Sequence, residues 1–196
     1  MIKYRIVIGT LALLVAMAMC SQMIVAKDTN LRITGTVVGI GGRSAGRSSP
    51  FQLIVNNYTS TAQVRELSAA LQTGGQDNLM STLSHMKAGR IQIGSGVGVD
   101  ANVIMAQPWE NGTKITVLYE RRLNFYELRY GTRSSDYLFG YAEMFLDANG
   151  KQQGQGTLIP AARVTLKDGN TWEVEDFGVF PARLMGLKAS GAVVPK

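Results

Sequence analysis

Cysteine and histidine are almost absent from this chain of 196 residues, which contains only Cys20 and His85. A zinc site of the usual kind needs three or four nitrogen or sulfur ligands, and an internal disulfide needs two cysteines. The sequence therefore predicts no metal site, no disulfide and no cofactor. A chain of this length buries a core large enough to fold without disulfides.

Charge is also scarce, at 17% of residues against 45% hydrophobic ones. This balance is typical of a globular protein rather than a disordered one. The formal net charge is +6, and 18 basic and 14 acidic residues remain once Lys3 and Arg5 are set aside. The basic residues are scattered, whereas nucleic-acid-binding proteins carry a basic stripe, often with stacking aromatics. We therefore expect no nucleic-acid partner.

A long apolar run occurs only near the N-terminus. Lys3 and Arg5 precede the run Ile6–Met19, and small or apolar residues continue to Ala26. A positive start, a short apolar core and a small-residue exit are typical of a secretory signal peptide. The run is short for a membrane-spanning helix of about 20 residues. We predict a signal peptide over residues 1–26 and an exported protein in the periplasm or at the cell surface.

Cys20 leaves two alternatives open within this segment. In the first alternative, Cys20 is the acylated cysteine of a lipoprotein, although Met19 occupies the position where that signal has a small residue. Otherwise Cys20 leaves with the signal peptide, which is expected to be cut after Ala26. Cleavage after Ala18 is the second choice and would leave Cys20 in the exported chain. We expect membrane contact only if Cys20 is lipidated or the signal stays uncleaved.

Alternating apolar and polar residues predict β-strands along most of the remaining chain. Residues Tyr137–Leu146 are apolar on both faces, which predicts a strand in the middle of a sheet. Its expected antiparallel partner runs from Leu158 to Leu166. The other expected strands are Leu31–Val38, Phe51–Val55, Arg90–Ile93, Val103–Trp109, Lys114–Tyr119, Trp172–Glu175 and Val179–Leu187.

A helical pattern occupies residues 61–87. Ser60 and Gln63 have the spacing of a capping box, and apolar residues then recur at helical spacing. Gly74 and Gly75 break the pattern, since glycine readily ends a helix. The stretch therefore predicts a helical hairpin packed on a sheet. His85 lies off the apolar stripe, so we expect it in solvent.

Together these patterns predict an α+β fold, with a mostly antiparallel sheet and one helical hairpin on a face. The sheet is expected to be curled or sandwich-like. We expect one domain over residues 27–188, followed by a flexible tail over residues 189–196.

The best candidate for a polar site is the turn before the central strand. It combines charge of both signs with hydroxyl groups, and loops on a rigid scaffold often carry function. The alternative is structural, because Asp136 can cap local backbone N–H groups and Arg133 can pair with it. The candidate binding residues are Arg133, Ser134, Ser135, Asp136, Arg129, Glu127 and Glu143, and none is assigned a catalytic role.

Five short motifs are distributed along the chain: Ser49-Pro50-Phe51, Gly74-Gly75-Gln76-Asp77, Gly89-Arg90-Ile91, Phe125-Tyr126-Glu127 and Arg133-Ser134-Ser135-Asp136-Tyr137. Together they resemble those of a family of small exported bacterial proteins to which no activity is assigned. The resemblance covers most of the chain after the signal peptide. It implies an exported protein and supplies no catalytic residues.

Three hypotheses for function follow from these observations. The leading one is a non-enzymatic envelope or periplasmic module that binds a ligand or a partner protein. The second is a hydrolase or lyase that uses carboxylates, with Glu127, Asp136 or Glu143 as acid or base. The third is a carrier of a lipid or other apolar ligand. Carboxylates in a cleft would favour the second, and an enclosed apolar cavity would favour the third.

Overall fold

The computed structural model describes residues 31–40, 45–110, 112–121, 136–147, 154–167, 171–176 and 182–191. These residues form ten strands and one helix. In chain order the elements are β1 (Leu31–Gly39), β2 (Ser48–Val55), α1 (Thr61–Ser84), β3 (Gly89–Ile93), β4 (Val99–Ala101), β5 (Val103–Trp109), β6 (Gly112–Glu120), β7 (Phe139–Asp147), β8 (Gly154–Lys167), β9 (Thr171–Asp176) and β10 (Ala182–Ser190).

The strands form one open sheet in which every pairing is antiparallel. Its order is β4-β3-β2-β1-β10-β8-β7-β6-β5, and β9 pairs with β8. The predicted α+β class with a mostly antiparallel sheet is confirmed. The sandwich-like arrangement is not confirmed, because the described strands belong to a single sheet.

One face of the sheet carries the main core. Apolar residues alternate along the strands, so that each strand directs every second side chain to this face. Strands from both ends of the sheet contribute, including Leu53 of β2 and Ile115 of β6, which are fully buried.

The two edges of the sheet come together at one residue. Strands β4 and β5 are the first and last strands of the sheet order, and only Asn102 separates them in the chain. Thr59 occupies the outer side of β5, where its hydroxyl accepts a hydrogen bond from Ile104 N and its backbone N–H donates to Ile104 O. This pairing covers part of an edge that would otherwise be open to another strand.

Strand β7 lies between β6 and β8, as predicted for a central strand. Ala142, Met144 and Leu146 face the main core, and Phe139 is fully buried on the other face. Its partner β8 contains the predicted segment Leu158–Leu166 and pairs with it in antiparallel register, interrupted by an irregularity.

The helix α1 packs on the opposite face of the sheet and forms a second core there. Ser60 is the N-cap, and the predicted capping box with Gln63 is present. Leu67, Leu71, Leu79 and Leu83 are the buried residues of α1, and they pack with Val103, Leu118, Phe139, Ala162 and Val164.

The predicted helical hairpin is not confirmed, because a single helical element spans the segment. Gly74 and Gly75 leave helical conformation and kink it, and Gly75 takes a φ of 64°. Just after the kink, the Gln76 side chain bonds to both backbone groups of Val164 on β8. The kink thus lets both halves of α1 pack on the same face.

At the C-terminus, the last strand begins and ends later than predicted. Val179–Leu187 was the expected range, and β10 runs from Ala182 to Ser190, with residues 177–181 outside the described part. Strand β10 therefore extends two residues into the segment expected as a tail. The predicted signal peptide also lies outside the described residues.

Candidate functional site

A cleft opens where the meeting edges of the sheet approach the C-terminal end of α1. Its volume is about 360 Å³, which lies within the range of roughly 300–1,000 Å³ for small-molecule sites. The lining residues come from α1, β3, the β3–β4 turn, β4 and β6. They are Ser84, Arg90, Val97, Gly98, Val99, Asp100, Asn102 and Glu120.

Asn102 is a fixed polar residue of this cleft. It is 5% exposed, and its amide Nδ2 donates hydrogen bonds to Leu83 O at 3.1 Å and Met86 O at 3.0 Å. Its Oδ1 accepts a hydrogen bond from Glu120 N at 3.0 Å. Carbonyl groups at a helix end need donors from outside the helix, so Asn102 supplies two of them and joins the helix to β6.

Asp100 in the cleft is paired with two cations, Arg90 in the lining and Lys87 beside the cleft. Lys87 Nζ lies 3.3 Å from Asp100 Oδ2, and Arg90 Nη2 lies 3.9 Å from Asp100 Oδ1. All three side chains are substantially exposed, so the pairs contribute little to stability. Glu120 lies at the end of β6 and is exposed. The cleft therefore holds positive charge around Asp100 and a carboxylate at Glu120.

The turn between β3 and β4 is held by side chains rather than by glycine alone. Gln92 Nε2 donates a hydrogen bond to Gly96 O at 2.6 Å, and Arg90 Nη1 donates one to Val97 O at 3.2 Å. Val97 is left 80% exposed at the rim of the cleft. Arg90 thus orders the rim and supplies charge to the cleft at the same time.

Glu143, one of the candidate residues from sequence, lies on β7 away from the cleft. Its Oε2 is 2.7 Å from Lys114 Nζ and accepts a hydrogen bond of 2.7 Å from the Tyr141 hydroxyl. Burial, with the hydrogen bond to Glu143 and its negative charge, raises the pKa of Tyr141 far above its ordinary value. The Tyr141 hydroxyl therefore stays protonated as a donor.

The other candidate residues are not brought to Glu143 by the described part of the chain. Asp136 is exposed and lies three residues before the start of β7, whereas Glu143 lies in the middle of that strand. Arg121 joins the segment after Asp136 to β6, since its Nε donates a hydrogen bond to Tyr137 O at 2.9 Å. Arg133, Ser134, Ser135, Arg129 and Glu127 lie outside the described residues.

Metal-binding groups do not converge within the part of the chain that the structure describes. No three His, Cys, Asp or Glu side chains there are placed to share an ion. His85 is exposed at the C-cap of α1, as expected from its position off the apolar stripe. Of the helices in the described ranges, none is long and apolar enough to span a bilayer.

Sequence reasoning missed the residues that form the cleft. Arg90, Asp100 and Glu120 come from three strands, and only the pairing Arg90↔Asp100 and the bond from Glu120 to Asn102 bring them together. One local signal was available: Asn102 is a polar residue between two buried apolar ones, Ala101 and Val103. A buried amide in such a run must find partners, which marks it as a structural centre.

No family model, curated protein or solved structure matches the chain. The resemblance to small exported bacterial proteins therefore stays a prediction. The function has to be argued from the geometry of the chain itself.

Proposed function

We propose that the protein is an exported, non-enzymatic binding module whose cleft at Asn102 holds a small ligand carrying charges of both signs. The observation that supports this proposal is the arrangement of charge in the cleft. The lining residue Arg90 and the neighbouring Lys87 both pair with the Asp100 carboxylate, and Glu120 supplies a second carboxylate to the lining. Ligand pockets with a few fixed polar groups are the usual small-molecule binding sites of proteins.

The charges match a free amino acid or a short peptide. The anionic end of such a ligand is attracted to the cationic side, where two positive groups face one negative group. Its ammonium group is attracted to the Glu120 carboxylate. The cleft is open and polar, so it does not suit the apolar cargo of a lipid carrier.

The floor of the cleft is rigid, which favours binding. Asn102 is held by three hydrogen bonds, and Arg90 is held against Val97 O. A site that is ordered before the ligand arrives loses less conformational entropy on binding. The affinity is therefore expected to depend on the charged groups rather than on reordering of the floor.

Calorimetric titration with a panel of free amino acids and dipeptides tests the proposal. We expect at least one to bind, and Glu120→Gln to weaken it at least tenfold, because a hydrogen bond to a charged group contributes about 1.5–3 kcal/mol. Glu66→Gln is the matched control, since Glu66 is an exposed carboxylate on the first half of α1. Binding by none of the panel, or equal binding by both variants, would contradict the proposal.

Export is a separate part of the proposal and rests on the N-terminal sequence. The exported form is expected to begin at Lys27 and to carry no lipid. Its intact mass decides the point, because a lipoprotein would begin at Cys20 and carry the added mass of its acyl chains. A mass that fits this acylated form would contradict the expectation and attach the protein to a membrane.

A carboxylate-dependent hydrolase or lyase is the second candidate function. The observation in its favour is that Asp100 and Glu120 line the same cleft but differ in their surroundings, since Asp100 is paired with two cations. Two carboxylates in unlike surroundings can act as acid and base. Mass spectrometry of a bound dipeptide after prolonged incubation separates the candidates: an intact dipeptide supports binding alone, and free amino acids support hydrolysis.

A further inference from the structure

A second polar and aromatic surface lies on the face of the sheet that carries α1. It lies farther along the strands than the residues that pack against α1. The rings of Trp109 and Phe145 are 5.1 Å apart between centroids and tilted by 54°. Lys114 Nζ lies 5.9 Å from each ring centroid. We call this set the aromatic–lysine surface, formed by Trp109, Lys114, Glu143 and Phe145.

Strand pairing explains why these four side chains meet. Lys114 pairs with Phe145, and Glu143 lies two residues before Phe145 on the same face of β7. Trp109 ends β5 opposite Gly112, which has no side chain to cover the indole ring. Trp109 is therefore 45% exposed although it packs against Phe145.

The charged groups of this surface are compensated and held in place. Lys114 and Glu143 are 2.7 Å apart, and their side chains are only 25% and 23% exposed. The Tyr141 hydroxyl donates to the same Glu143 oxygen. The pair has no net charge to attract an ion, but it presents fixed hydrogen-bond donors and acceptors beside an open aromatic ring.

We propose that the aromatic–lysine surface binds a neutral carbohydrate. A sugar ring has one face of C–H groups, which packs on an aromatic ring, and a rim of hydroxyl groups, which hydrogen-bond to charged side chains. Gln107 is exposed opposite Lys114 and Thr157 is half-buried opposite Glu143, so each charged side chain has a polar neighbour on the next strand. A protein partner is less suited, because a stable interface buries about 800 Å² on each side, far more than one exposed ring provides.

This site is independent of the cleft. Lys114 and Glu120 are six residues apart on β6, which separates the two sites by about 20 Å. The carbohydrate proposal therefore goes beyond the proposed function, and either can fail while the other holds.

An array of neutral and acidic oligosaccharides, probed with the purified protein, tests the inference. We expect binding to at least one neutral oligosaccharide, little affected by salt, and a loss of at least tenfold in affinity for Trp109→Ala. Trp172→Phe is the matched control, because Trp172 is half-buried and bonds to Ser68 Oγ under α1. Circular dichroism confirms that both variants fold.

Three outcomes would overturn the inference. The first is that the protein binds no neutral oligosaccharide. This holds even if Trp109 proves necessary for binding a partner protein. The second is binding to acidic oligosaccharides alone, weakened by salt. The third is equal affinity in Trp109→Ala and the wild-type protein.

Discussion

Asn102 Oδ1 accepts a hydrogen bond of 3.0 Å from the backbone N–H of Glu120, so the residue that joins the two sheet edges also fixes the end of β6. The same side chain donates to two carbonyls at the end of α1. One buried amide therefore connects the helix, both edges of the sheet and the cleft. The stability of this junction is the first property to test.

Asn102→Ala is expected to lower the free energy of unfolding by at least about 2 kcal/mol, because it leaves buried backbone groups without partners. Asn102→Asp is expected to be no more stable than Asn102→Ala at neutral pH. Its carboxylate keeps the acceptor for Glu120 N but loses both donors. Chemical denaturation measures the free energy of unfolding of both variants. Asn56→Ala is the control, because Asn56 is exposed and its truncation is expected to cost under about 0.5 kcal/mol. Wild-type stability in Asn102→Asp would show that the two donated bonds are unimportant.

The two halves of α1 are expected to contribute to one core. Leu67 and Leu83 lie on opposite sides of the kink, and both are fully buried. Truncation of either to Ala is expected to cost about 2–5 kcal/mol, whereas exposed His85→Ala is expected to cost under about 0.5 kcal/mol. Thermal and denaturant unfolding measure the three variants. A large loss at His85 with little at Leu83 would mean that the helix packs by its other face.

Buried tyrosines are expected to make the protein unstable to alkali. Burial raises the pKa of Tyr58 to about 12, and it raises that of Tyr119 to about 12 despite the opposing charge of Arg121. An unfolded tyrosine ionises near pH 10, so the stabilisation is complete below that pH and is lost as the pH rises towards 12. Within this window each tyrosine is expected to lower the free energy of unfolding by about 1.4 kcal/mol per pH unit.

Denaturant unfolding at increasing pH measures this loss, and tyrosinate absorbance follows the ionisation. Tyr141→Phe is the comparison variant, because the pKa of Tyr141 is also raised by burial and by Glu143. Its stability is expected to fall less steeply than that of the wild-type protein above pH 10. Identical alkaline profiles would mean that Tyr141 ionises freely in the folded state.

Gly140 is expected to tolerate no side chain, because the Tyr119 ring lies over it. A Cβ at this position would collide with Tyr119 Cζ, and Tyr119 is only 7% exposed. Gly140→Ala is therefore expected to cost about 1–3 kcal/mol through overpacking. Gly96→Ala is the control, since nothing lies within 4 Å of its added Cβ. Equal melting temperatures for the two variants would contradict this packing.

Much of the fold was predictable because its signals are local. The capping box at Ser60 and the alternation along Leu31–Val38 and Lys114–Tyr119 each depend on neighbouring residues, and the start of α1 and the strands β1 and β6 formed as expected. The kink at Gly74–Gly75 was recognised as a break but not as a kink within one element. Glycine permits both outcomes, and contacts such as Gln76 with Val164, 88 residues away, accompany the observed one.

The cleft was not predictable, because it is formed by residues that lie far apart in the sequence. No sequence pattern marks Arg90, Asp100 and Glu120 as a site, and their proximity depends on strand order, which a single sequence does not specify. The density of charge around Asp136 drew attention instead to a segment whose candidate residues lie mostly outside the described part. Glu143 was identified as polar and central, but its partners Lys114 and Tyr141 emerge only from the register of β6 and β7.

Native mass spectrometry of the protein purified from its own cell tests the binding proposal most directly. Wild-type protein and Glu66→Gln are expected to carry the same small molecule, which should be absent or strongly depleted in Glu120→Gln. Fragmentation of the released molecule should show both an ammonium and an acidic group. Wild-type protein without any bound small molecule, or equal retention by Glu120→Gln, would contradict the proposed role of the cleft.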